Sequence, residues 1–183
     1  MKGLAIGSVL AAIAMFLFGF LYFGPLNGLG AVSSGADTGV MQEALRSGVP
    51  ATGTYVIPDM SLYLNDADGF ATAHEAGPRA MLHVQKAGAG VMDVKVMIVG
   101  FVHMLVVAFI LGVILQMVLP AVPTYAGKIV FIAILGLLAG LWVDFGQVVW
   151  WSHPVKYHML NTVYHVVSFA IAGAVLGKFV KSP

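Results

Sequence analysis

The chain has no cysteine, which excludes a disulfide frame, a thiolate nucleophile and any cysteine-based metal site. Charge is scarce as well: 9% of the 183 residues are Asp, Glu, Lys or Arg, against about 25% in soluble domains. What charge there is balances, nine basic residues against eight acidic for a formal net charge of +1. That balance excludes the basic patch a nucleic-acid partner needs, and no polybasic run points to an anionic membrane surface. Enzyme signatures are missing too, with no Gly-x-Ser-x-Gly elbow, phosphate loop, His-Glu-x-x-His or dinucleotide fingerprint. An enzyme is therefore not expected, and no motif indicates a cofactor. A transporter is disfavoured because the sequence has no internal repeat and no span broken by glycine and proline.

In place of charge stands apolar surface: 60% of the residues are hydrophobic and the mean hydropathy is +0.93. A membrane-crossing helix takes about 20 mainly apolar residues, and four segments qualify: Leu4 to Phe23, Val96 to Leu119, Ile129 to Val149 and Tyr157 to Val180. Lys2 ahead of an apolar run also resembles a secretory signal, but the run exceeds the ~7–15 residues of a signal core, so this helix is expected to be retained. The expected fold is an all-α integral membrane protein of four transmembrane helices with a small α+β extracytoplasmic cap between helices 1 and 2. Helix 1 occupies residues 1–24, the cap 25–95 and helices 2–4 residues 96–183.

Orientation follows from the short loops, because cytoplasmic ends are enriched in Lys and Arg. With the N-terminus inside, Lys2, Lys128, Lys178 and Lys181 face the cytoplasm and Lys156 alone stands in the short outer loop. Both termini are thus expected to be cytoplasmic in a multi-pass protein of the bacterial inner membrane. Seven of the eight acids, all but Asp144, lie in the long segment after the first helix.

That segment is punctuated by turn signals at Asn27-Gly28, Ser47-Gly48-Val49-Pro50, Asp68-Gly69 and Gly77-Pro78. Between them Val40 to Arg46 is expected to form two helical turns, and Thr54 to Ile57 and Met81 to Val84 short strands. Asp66 and Asp68 beside Gly69 faintly resemble a calcium loop, but its twelfth position is Gly77 rather than glutamate, so the segment reads as a turn. His74 and His83 read as solvated. Trp150, Trp151 and Tyr157, flanking His153-Pro154, read as an interfacial anchor.

The informative residues are those that are polar inside apolar helices, since each is costly there. They are His103, Gln116, Asp144, Gln147, Asn161 and His165. At 1.5 Å per residue, His103 lies about 10 Å, Asp144 ~8 Å, Asn161 ~6 Å and His165 ~12 Å below the outer ends of their helices, in one layer. Gln116 lies apart, near the cytoplasmic end. Gly136, Gly140 and Asp144 recur every four residues, so the carboxylate is expected to end a small-residue stripe and point into the bundle. His158, Asn161 and His165 form one stripe on the last helix, with Gly173 and Gly177 further along; Gly3, Gly7 and Ala11 make the equivalent stripe on the first.

The layer admits three readings: a buried hydrogen-bonded contact that fixes helix register, a metal or haem site, and a proton or quinone site. The candidate cofactor-binding residues are His103, His165, Asp144 and Asn161; no metal-ligand spacing motif accompanies them. Ten methionines are scattered and read as packing.

Three stretches carry a resemblance: Gly19-Phe-Leu-Tyr-Phe-Gly-Pro-Leu26, then Gly53-Thr-Tyr-Val-Ile-Pro58 with Gly77-Pro78, then Trp150-Trp151-Ser-His-Pro154 through Ala172-Gly173. Together they resemble a family of small uncharacterised bacterial four-helix inner-membrane proteins with an extracytoplasmic insertion after the first helix. The resemblance implies that architecture and transfers no catalytic residues. This chain departs from the pattern in placing His165 where another polar residue is expected.

The leading expectation is a non-catalytic accessory or structural subunit that packs against a larger energy-transducing membrane complex through its glycine-lined helices. Its partners would be the lipid bilayer and protein subunits, not nucleic acid. The alternative is a redox, metal- or haem-binding membrane protein using His103 and His165 with Asp144 nearby.

Overall fold

A computed structural model describes residues 2–26, 30 and 32–181. The described residues are mostly helical and include four helices long and apolar enough to cross a membrane. The first is α1 (Lys2–Leu21), which runs into a wide turn at Tyr22–Leu26 that breaks at Gly24 (φ −86°, ψ −105°) ahead of Pro25. Then come α2 (Thr38–Gly48), β1 (Gly53–Ile57), α3 (Met60–Asn65), α4 (Ala67–Ala76), β2 (Ala80–Val84) and α5 (Val94–Val118). The chain ends with α6 (Tyr125–Ala139), a π turn (Gly140–Asp144), α7 (Phe145–Trp151) and α8 (Val155–Phe179).

Two of the long helices start where a side chain can replace a missing backbone acceptor. Asp93 accepts from the Lys95 N–H at 2.8 Å to open α5, and Thr124 from the Gly127 N–H at 3.0 Å to open α6. The observed spans lie within about four residues of those expected, as end fraying allows.

The chain divides into two units. The larger takes Met1–Ser33 and Met92–Pro183. Within it α8 is the central helix: α6 and α1 both pack along it, and α5 packs chiefly on α1. The core is built from Ala11, Ala12 and Met15 of α1, Ala108 and Leu115 of α5, Ile132 of α6, and Ala172 and Leu176 of α8. Around it the outward faces are apolar, for example Ile98, Val102, Val106 and Phe109 along α5. Such rows suit hydrocarbon; in water they would be an aggregation surface.

Small residues let the helices approach. A Cβ at Gly7 would come within 2.9 Å of the Phe179 Cβ on α8, and one at Gly136 within 2.6 Å of the His165 carbonyl oxygen. Gly173 and Gly177 in turn face Ile129 and Tyr125 of α6. The glycine stripes are thus filled by the chain's own helices, so the glycine-lined faces expected to receive a partner are already occupied.

The smaller unit, Ser34–Val91, is an α+β fold. Asp37 caps α2 by accepting from the Val40 N–H at 3.0 Å. Strands β1 and β2 pair antiparallel, with Tyr55 opposite Leu82, close to the expected strand positions. Lys86 Nζ donates to the carbonyls of Val49 at 2.6 Å and Arg46 at 3.0 Å, tying the end of α2 to the chain leaving β2. Val49 is the one fully buried residue of this unit.

Two helices here, α3 and α4, were not expected. The Asp66-Ala-Asp-Gly69 stretch is the start of α4 rather than a turn, because Asp66 accepts from the Gly69 N–H at 2.9 Å as its N-cap. Gly77, with φ +61°, ends α4 where a chain reversal was expected, a conformation that glycine adopts without steric cost. The expected turn at Asn27-Gly28 lies outside the described residues.

Candidate functional site

Asp144 closes the π turn that joins α6 to α7. Four residues overshoot a 3.6-residue α turn but fall short of the wider π turn. The π turn therefore winds back the drift that four-residue spacing accumulates from Gly136 to Gly140, and keeps Asp144 on the face against α8. Gly140 makes that approach possible: a Cβ there would come within 2.7 Å of the Thr162 Cγ2. Asp144 is 6% exposed, as the glycine stripe implied.

Its neighbours are two imidazoles of α8, one on each carboxylate oxygen. His165 Nε2 lies 3.1 Å from Oδ2, and His158 Nδ1 lies 3.6 Å from Oδ1. The two are seven residues apart, two turns of α8, so one helix face presents both. His158 is 7% exposed, whereas His165 is half-buried. The first contact is close but off the line of a hydrogen bond, and the second is slightly too long for one. Asp144 Oδ2, His158 Nδ1 and Thr162 Oγ1 are accordingly buried without a hydrogen-bond partner. Unpartnered buried polar atoms are costly, so an unpaired carboxylate oxygen and an unpaired ring nitrogen within one His–Asp pair mark a site rather than a packing contact.

A third histidine extends the group. Ser152 adopts a left-handed conformation (φ 55°, ψ 33°) at the end of α7, and the His153 N–H donates to the Gln147 carbonyl at 3.3 Å. This reversal brings His153 Nδ1 to 3.2 Å from His158 Nε2, with the rings stacked 5.3 Å apart. Tyr157 meets His158 edge-on and Tyr164 flanks His165, with ring centroids 5.2 Å and 5.7 Å away.

Of the four residues singled out from the sequence, the structure brings together Asp144 and His165. Asn161 is half-buried on α8 and makes no side-chain hydrogen bond among the described residues. His103 is exposed on α5, with no hydrogen bond or ion pair among the described residues. It does not join the cluster, because sharing a depth does not mean sharing a face. His158 and His153 take the places that His103 and Asn161 were expected to fill. His158 was visible as the first member of the stripe ending at His165; His153 had no signal, since only the reversal at Ser152 delivers it. Gln116, well apart, donates from Nε2 to the Lys181 carbonyl at 3.4 Å.

Chemically, the arrangement fits a proton better than a metal ion. The imidazoles attend opposite oxygens of one carboxylate instead of converging on a point, and no group of three or more His, Cys, Asp or Glu among the described residues is placed to hold a metal ion. Both ion-pair partners of Asp144 are histidines, whose ring nitrogens can take or give a proton. No family model matches the chain, no curated protein matches it, and neither does any solved structure.

Proposed function

We propose that this chain is a non-catalytic subunit of a larger energy-transducing membrane complex, seated in the bacterial inner membrane with both termini cytoplasmic, and that its contribution is a proton-holding centre at Asp144. The observation that carries this reading is the buried Asp144 carboxylate between His158 and His165. An ionisable group among apolar helices is costly and is kept where it works, most often in proton transfer. The three groups together offer a proton two carboxylate oxygens and two facing ring nitrogens among which to sit.

The membrane placement draws on the four apolar helices and on the lysines at the ends assigned to the cytoplasm. The subunit role draws on the lack of any enzyme motif and on a bundle too small to enclose a separate reaction chamber. With the glycine stripes filled internally, a partner would meet the outward apolar faces instead. The redox or haem alternative through His103 and His165 gains no support, since His103 stands exposed on a different helix from the cluster.

Infrared spectroscopy of the protein in lipid tests the centre. Asp144 is the only acid within the four apolar helices, so its protonated carboxyl band can be told apart from those of the other acids by substitution. The band should vanish in Asp144→Asn. If no band depends on Asp144 between pH 4 and 8, the centre does not hold a proton. Recovery of the protein only as a free monomer in mild detergent would remove the subunit role.

A further inference from the structure

We propose that His153 and His158 form a proton relay that loads and unloads the Asp144 centre from the end of the helix bundle where α7 turns into α8. The inference rests on the proton-holding reading of Asp144 and adds the route by which the proton arrives.

Three observations place the relay. His153 sits in the 152–154 loop, half-buried between exposed Ser152 and Pro154, so part of it meets the surroundings of the protein. Its Nδ1 stands at hydrogen-bond distance, 3.2 Å, from Nε2 of the buried His158. The opposite ring nitrogen of His158, Nδ1, faces Asp144 Oδ1 at 3.6 Å and has no other partner. An imidazole bonded to a neighbour through one nitrogen and aimed at a carboxylate with the other is the geometry of a proton shuttle. The last gap exceeds hydrogen-bond length by little, and such bonds often tighten only when the proton moves.

The steps balance. Protonated His153 gives its Nδ1 proton to Nε2 of neutral His158, whose own proton is on Nδ1. His158, now an imidazolium, gives that Nδ1 proton to Asp144 Oδ1 and is left neutral with its proton on Nε2. One proton has moved from His153 to the carboxylate, and the reverse sequence returns it, so the relay serves one side only. His165 Nε2 stands 3.1 Å from Oδ2, the carboxylate oxygen that the route does not use. The other titratable groups near the route are phenols: Tyr157 beside His158, Tyr164 beside His165, and Tyr22 of the wide turn after α1, which packs on Tyr164 and donates to the Leu160 carbonyl at 2.8 Å. Lys156 is exposed in the first turn of α8 and Lys128 donates to the Gly177 carbonyl, so neither occupies the route.

The test is solid-state nuclear magnetic resonance of the full chain in phosphatidylcholine–phosphatidylglycerol vesicles, with 15N in the histidine rings. It follows the titration midpoints of His158 and His165 and the exchange of their ring protons with water. His153→Ala should slow exchange at His158 by about a hundredfold, as loss of a general acid–base group does, while leaving the midpoint of His165 in place. Added imidazole should restore the rate in this variant, which a folding defect would not allow. Unchanged exchange in His153→Ala, or slow exchange that imidazole does not restore, overturns the relay. Failure of the underlying centre looks different: Asp144→Asn would then leave the His158 and His165 midpoints where they are in the parent protein.

Discussion

A carboxylate flanked by imidazoles can exchange a proton with them. Asp144, His158 and His165 form such a set, whereas the acids of the smaller unit are used quite differently. Asp59 is fully exposed and caps α3, accepting from the Ser61 N–H at 2.7 Å. Hydrogen bonds from the Ser61 side chain and then its backbone hold the Asp59 carboxyl below the usual aspartate range. A depressed value in the folded state stabilises the cap above the unfolded value of about 3.9, and the benefit disappears as the pH falls below it. Amide exchange should therefore show protection of Ser61 falling below about pH 4. In Asp59→Ala that protection should already be low at pH 7 and no longer respond to acid; an unchanged pH response would place its origin elsewhere. At this scale the sequence was only partly legible. Asp144 and His165 could be found because each continues a spaced stripe of glycine or polar residues. His103 misled because α5 is apolar all round, so no periodicity fixes which of its faces is turned inward.

The elements were easier to read where they are long. Four apolar runs without internal proline dictate four long helices, and their ends differ from expectation by a few residues only. Short helices were missed because capping and turn formation use the same residues. The Asp66 side chain that accepts from the Gly69 N–H would do so equally well in a turn, and only the continuation through Ala76 separates the two. The π turn was invisible for another reason, since spacing cannot report one extra residue per turn. The pairing of α6 with α8 through Gly136 and Gly140 carries its own prediction. In Gly136→Ala the new methyl would meet the His165 carbonyl, which is backbone and cannot swing aside. Overpacking of this kind costs about 1–3 kcal/mol, and because it bears on His165 it should also shift the titration of the Asp144 cluster. Gly146→Ala on α7 meets nothing within 4 Å and serves as the control. Equal melting temperatures for the two variants would show that the close approach at Gly136 is not needed.

For the whole molecule, the orientation proposed from lysine placement can be tested cleanly, because the chain has no cysteine to remove. Gly90→Cys in the smaller unit has open space around it, and Ala121→Cys lies exposed in the loop between α5 and α6. In cells with a permeabilised outer layer and an intact inner membrane, an impermeant maleimide should label position 90 and reach position 121 only after lysis. The opposite pattern would invert the topology. The place of α8 also bears on how the molecule is made. Domains and helices emerge from the ribosome in chain order, yet the helix on which both α1 and α6 pack is the last of the four. Until residues 155–179 have been synthesised, Gly7 and Gly136 have no surface to meet and Asp144 has neither of its histidines. Before then α1 can pack on α5, whereas α6 lacks the helix it chiefly packs on. A chain halted before α8 would carry Asp144 without either of the imidazoles that flank it in the finished protein.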